Sequence, residues 1–195
     1  MEKVFHFDAP REKYHCDAAI VWCFDNRFHL GFTKFLKRIG VVNSDPIKIA
    51  GGAKCLATPE LERDRDFVLE QIRKSIRLHG TTRVILMLHS DCGAYGGLAG
   101  GFNGDARAEA DHQEAELKLA ADNLQKAIPG LDILAYFVDF EGVWSVDLAS
   151  RPVRLDGGQK LVTQLSTGER LAAGGGEDQI DKLLGEIRRR GTVRK

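Results

Sequence analysis

Two short clusters hold residue types that can do chemistry together: Cys23-Phe24-Asp25-Asn26-Arg27 and His89-Ser90-Asp91-Cys92-Gly93. Two thiolates and one imidazole at one point form a donor set that zinc takes tetrahedrally. Three protein ligands leave its fourth position open, as catalytic zinc sites do. Asp25, two residues beyond Cys23, can reach either the metal or whatever fills that fourth position. Arg27, two further on, can hold the Asp25 carboxylate by a forked pair of hydrogen bonds. Everything depends on distant parts of the chain meeting, which is the task of the surrounding elements.

Residues 17–22 are almost continuously apolar and end in a polar turn, the pattern of a strand buried on both faces. Apolar residues at 28, 32, 35, 36 and 39 then form a helical stripe that stops at Gly40. Residues 46–50 read as a second strand closed by Gly51-Gly52. A helix opened by Pro59 follows, with Leu61 off its main face and Phe67, Leu69, Ile72, Ile76 and Leu78 further along, ending at His79-Gly80. Residues 83–88 form the clearest buried strand and run straight into His89. The glycine-rich stretch 93–104 reads as a mobile lid beside the site, residues 105–128 as a long helix stopped by Pro129-Gly130, and residues 131–138 as a fourth strand. This alternation predicts an α/β fold with right-handed crossovers and a mostly parallel sheet with helices on both faces. Sites in such sheets lie beyond the carboxyl ends of strands, where both clusters sit. If the first and third strands are neighbours, Cys23, His89 and Cys92 converge. After Val143 the texture changes to short alternating runs at 143–148, 153–155 and 160–165, which predict an edge meander. Gly174-Gly175-Gly176 reads as a hinge and residues 177–190 as a closing helix, giving a C-terminal extension of meander and helix over about 143–195.

The chain has 195 residues, 43% of them hydrophobic and 29% charged, which suits one soluble domain and excludes extended disorder. With 28 basic and 28 acidic residues the net charge is zero, so no nucleic acid and no anionic membrane is expected as the main partner. No apolar leader or membrane-length run stands out, and four widely spaced cysteines fit a reducing compartment, so a cytoplasmic location is expected. Cys16 and Cys55 read as buried apolar thiols and His6, His15, His29 and His79 as surface or capping residues, with His29 close enough to compete as a ligand. Asp91 reads as a residue that caps its turn, and the Glu109/His112 pair as a solvated helix face.

The two clusters, C-x-D-x-R and H-x-x-C in this order at strand ends, resemble the signature of the β-class carbonic anhydrases, with matching context over about residues 17–140. The resemblance implies one β-carbonic anhydrase-like domain over residues 1–195. It also implies Zn²⁺ bound by Cys23, His89 and Cys92, a catalytic dyad of Asp25 and Arg27, and Gly51 and Gly93 against the substrate. The implied activity is reversible hydration of carbon dioxide to bicarbonate by a zinc-bound hydroxide, in a homodimer or higher homo-oligomer. Where the family usually carries Arg-Asn before its Ala-Gly pair, this chain has Lys48-Ile49. Related enzymes hydrolyse carbonyl sulfide or carbon disulfide on the same scaffold. A non-catalytic zinc module, its fourth position closed by Asp25, is the alternative from another class. A redox dithiol of Cys23 and Cys92 lacks the C-x-x-C spacing that tunes such pairs.

Overall fold

The computed structural model describes residues 1–149, so the runs at 153–155 and 160–165, the hinge at 174–176 and the helix at 177–190 lie outside the described residues. Five strands form one sheet in the order β2-β1-β3-β4-β5. β1 (Ala18–Cys23), β2 (Ser44–Ile49), β3 (Arg83–His89) and β4 (Asp132–Val138) are parallel, and β5 (Val143–Ser145) closes the β4 side antiparallel, the one described piece of the expected meander. The helices between parallel strands are α1 (His29–Arg38), α2 (Lys54–Ala57) with α3 (Glu62–His79), and α4 (Gly97–Phe102) with α5 (Ala106–Ala127).

The two-residue period of a strand divides the core into two layers. Ala19, Val21, Val84, Leu86 and Leu88 face one way, onto Val68, Leu69 and Ile72 of α3 and Leu117, Ala120 and Leu124 of α5. Ala18, Ile20, Trp22, Ile85 and Met87 face the other, onto Phe28, Phe32 and Leu36 at α1. Helices on both faces explain why β1 and β3 carry no polar alternation. Among the described residues β2 is an edge strand, paired on one side only, so Pro46 sits inside it without disrupting the sheet.

Two local expectations are corrected, and one short helix is added. Phe67 and Leu78, assigned to the buried face of α3, are exposed, and the face is instead built by Val68, Leu69, Ile72 and Ser75. The glycine-rich stretch is not a loose lid. Residues Gly93–Tyr95 form a 3₁₀ turn and Gly97–Phe102 form α4, with an added Cβ on Gly101 colliding with the Tyr95 carbonyl oxygen. The short α2, whose Cys55, Leu56 and Ala57 are buried, carries too few residues to announce itself by periodicity.

Gly52 fixes how the chain leaves β2. Its φ is +54°, and a Cβ there would stand 2.6 Å from the Met87 carbonyl oxygen and 2.9 Å from the Cys23 nitrogen. The turn is therefore wedged across the ends of β1 and β3. Gly52→Ala is expected to destabilise the protein by roughly 2–4 kcal/mol, from left-handed backbone strain plus overpacking. Thermal denaturation checks this, with a Tm lowered by roughly 5–15 °C.

Candidate metal centre

β1 and β3 are neighbours in register Ala19 to Val84 through Val21 to Leu86, so their carboxyl ends emerge side by side. Cys23 is the last residue of β1 and His89 the last of β3. Beyond His89 the Ser90 amide still donates to the Val138 carbonyl at 2.8 Å, extending the ladder to β4. Asp91 then takes a left-handed φ of +53°, which folds Cys92 back over the strand ends. One ligand atom each from Cys23, His89 and Cys92 lies within 4.8 Å of the others, and all three residues are buried. Donors around a tetrahedral zinc stand roughly 3.5–4 Å apart at ordinary bond lengths, so this set is close to that spacing.

His89 supplies the test of fit. Its Nδ1 lies 2.8 Å from the Ser90 carbonyl oxygen. A carbonyl can only accept, so Nδ1 carries the proton and Nε2 keeps its lone pair. Nε2 is buried with no nitrogen or oxygen partner among the described residues, and its polar neighbour is the Cys23 thiol. The rings of Trp22, at 5.6 Å between centroids, and Phe28, at 4.9 Å, hold the imidazole in place. A buried imidazole nitrogen aimed at two thiols is costly to leave unpaired, and a soft divalent cation satisfies all three at once. One of the two thiols is already poised for this. Hydrogen bonding from Cys92, helped by His89 and by the backbone at Asp25 and Gly51, outweighs burial and pulls Cys23 down. The same contact, together with burial, pushes Cys92 up.

Asp25 is not in this donor set. Arg27 donates from Nε to both carboxylate oxygens, at 3.1 and 3.0 Å, and from Nη2 to Oδ2 at 2.7 Å. The Arg27 backbone amide adds a bond to Oδ1 at 2.9 Å, so Asp25 also caps the 3₁₀ turn Asn26–Phe28. The guanidinium continues to Asp91, from Nη1 to Oδ2 at 2.8 Å and from Nη2 to the carbonyl at 3.0 Å. It lies 5.7 Å from the Phe28 ring centroid and 5.4 Å from that of Phe140. Arg27 holds the carboxyls of Asp25 and Asp91 below the usual carboxylate range.

The remaining candidates fall around this core. Gly51 is buried, and a Cβ there would meet that of Ala94 at 2.9 Å; Gly93 is exposed with open space about it. Asp91 caps its turn, accepting from the Leu98 amide at 2.9 Å, and also braces Arg27. His29 is exposed and outside the donor set. Cys16 and Cys55 are buried elsewhere, with burial pushing Cys55 up to about 12. Lys48 is exposed over the Phe32 ring, and Ile49 packs on the core at the wall of a cavity of about 290 Å³ that Ala50 and Ala94 also line. Glu109 corrects the reading of a solvated face: it is 1% exposed, while His112 is exposed and packs on Tyr95 and Phe102. Glu109 and Phe140 are the neighbours of the site that motif reading missed.

The family model described as "Putative carbonic anhydrase" matches residues 13–149. No curated protein matches the chain. Among solved structures, a carbonic anhydrase from Streptococcus mutans is similar at 19% identity and TM-score 0.47, covering 69% of this chain and 84% of that one. The β-carbonic anhydrase isoform I of Trichomonas vaginalis is similar at 18% identity and TM-score 0.48, covering 72% and 87%. A carbonic anhydrase from Glaciozyma antarctica is similar at 20% identity and TM-score 0.46, covering 69% and 84%.

Proposed function

The chain belongs to this carbonic anhydrase family, and on that premise we propose that it is a zinc enzyme catalysing the reversible hydration of carbon dioxide to bicarbonate. The observation that carries the proposal is the buried Nε2 of His89, without a nitrogen or oxygen partner among the described residues, converging with the thiols of Cys23 and Cys92. These three residues would hold the metal. Zinc held there supplies a nucleophile from water near neutral pH. Two thiolates cancel the charge of the cation, so activity is expected to rise from pH 7 to pH 9.

Arg27 and Asp25 form the dyad of this reading. The fork keeps Asp25 ionised and turned from the metal position, leaving its lone pairs to accept a proton-bearing group of the nucleophile and aim it. In this reading Gly51 and Gly93 border the space for substrate, Gly93 with open space where a side chain would stand. A second reading, hydrolysis of carbonyl sulfide or carbon disulfide at the same centre, draws on Ile49, an apolar residue at the end of β2 where the family carries an amide. The reading as a closed module draws no support from a carboxylate held this firmly by Arg27.

We place the protein in the cytoplasm, where the thiols stay reduced, as one domain assembled into at least a homodimer. No helix among the described residues is long and apolar enough to cross a membrane. The exposed Val4, Phe5 and Phe7 and the open edge of β2 are surfaces that association would cover. The test is carbon dioxide hydration at pH 7 and 9, with carbonyl sulfide in parallel, on protein of measured zinc content and sedimentation mass. Zinc-loaded protein that hydrates carbon dioxide no faster than buffer would overturn the activity, and a one-chain mass at micromolar concentration would overturn the dimer.

A further inference from the structure

The α5 stripe that packs on the sheet is apolar at Leu117, Ala120 and Leu124, but its first turns carry Glu109 and Gln113, 1% and 0% exposed. A carboxyl in such a place requires a partner, and Glu109 has one that matters: Oε1 accepts the backbone amide of Asp91 at 2.7 Å. Asp91 is the left-handed residue that folds Cys92 back, and its own carboxylate and carbonyl hold Arg27, which in turn holds Asp25. We propose that Glu109 is the positioning residue of the site, fixing through the Asp91 turn both the placement of Arg27 and the distance of Asp25 from the metal position.

Among the described residues the chain of contacts has no second anchor of the same kind. Asp91 is otherwise held by the Leu98 amide, which belongs to the short glycine-rich α4, whereas Glu109 is set in a helix of 22 residues. Burial raises the Glu109 carboxyl above the usual range, which favours a neutral acid there. A glutamine therefore reproduces both the shape and the accepting oxygen. Oε2, Ser90 Oγ and both polar atoms of the Gln113 side chain are buried without protein partners, a polar lining suited to ordered water and to a glutamine amide.

The role rests on the hydration reading, and the experiment separates the two. Glu109→Gln, Glu109→Leu and Glu109→Asp are purified, loaded with zinc, and compared with the unaltered chain for thermal midpoint, metal content, kcat, KM and crystal structure. Glu109→Leu and Glu109→Asp are expected to lose about 10–100-fold in kcat with KM little changed and zinc kept at one per chain, the size of effect usual for groups that orient a metal site from behind. Arg27 should leave Asp91 in their crystal structures. Glu109→Gln should restore kcat to within about threefold. If Glu109→Leu does not fold, Glu109→Asp carries the test, since it withdraws the oxygen by one methylene. An unmoved Arg27 with unchanged kcat in the folded variant, or a Glu109→Gln variant as impaired as Glu109→Leu, would overturn the proposal. Were the unaltered, zinc-loaded protein inactive, the hydration reading would fall, and the position of Arg27 in the variants would still decide the role of Glu109.

Discussion

Replacing Cys23, His89 or Cys92 by alanine is expected to abolish stoichiometric zinc in the purified protein. Among the described residues each supplies one of three converging, buried donors, and Asp25, the nearest other ligand type, is held by Arg27. Zinc binding worth about 10–16 kcal/mol in four-ligand sites implies roughly 3–4 kcal/mol per ligand, or a loss of roughly 10²–10³-fold in affinity for each substitution. His89→Ala should also loosen the contacts of Trp22 and Phe28, lowering Tm, whereas Cys23→Ala and Cys92→Ala remove a single sulfur. Metal analysis after gel filtration is the measurement. Full zinc in all three variants would sink the assignment of the site.

Arg27→Ala is expected to behave in the opposite way, keeping zinc while hydration falls by roughly two orders of magnitude or more. Removing the guanidinium frees Oδ2 of Asp25, but the backbone amide at position 27 still holds Oδ1, so the carboxylate stays in place with one oxygen unengaged. A divalent cation nearby is the strongest partner for that oxygen, and its bond would take the position that substrate chemistry needs. The same change leaves Asp25 and Asp91 facing each other without their shared cation. Both carboxyls sit below their unfolded value in the intact protein, so their contribution to stability is present above the ordinary carboxylate range and is lost as pH falls through the depressed folded values. In Arg27→Ala the part supplied by the guanidinium is lost, while the backbone amides of residues 27 and 98 keep theirs, and acid unfolding should begin at higher pH. Crystallography of the zinc-loaded variant is decisive. An open fourth position with normal activity would mean that Arg27 does not control it.

Why the sequence disclosed the donors but not their supports can be seen in particular residues. Cys23 and His89 stand at the ends of the two most apolar runs, where a polar residue has few structural excuses, so strand and site were legible together. The neighbouring placement of β1 and β3 was only a condition on that reading, because a buried parallel strand carries no mark of its neighbour. Glu109 was misread because a carboxylate three residues before a histidine looks like solvated helix. Stepping back along the stripe from Leu124 through Ala120, Leu117 and Gln113 lands on Glu109, so its burial was written in the spacing. Phe140 had no such signal. It stands in the turn between β4 and β5, and only the folded hairpin brings its ring over Arg27. The exposed Phe67 shows the reverse error, a large apolar side chain assigned inward by its type although Val68 and Leu69 hold the buried positions.

The strand order also sets a timetable. β2 follows β1 directly in the chain, whereas β3, its neighbour on the other side, is synthesised only later. Forty residues separate the end of β2 at Ile49 from His89, which at a synthesis rate of about 5–20 residues per second is roughly 2–8 s. Through that interval Cys23 has been made and neither His89 nor Cys92 has. A nascent chain is thus exposed to oxidation or to the wrong metal at the one thiol it most needs, and the arrival of β3 covers the edge and brings His89, while Cys92 follows only when the Asp91 turn closes on Glu109 of α5.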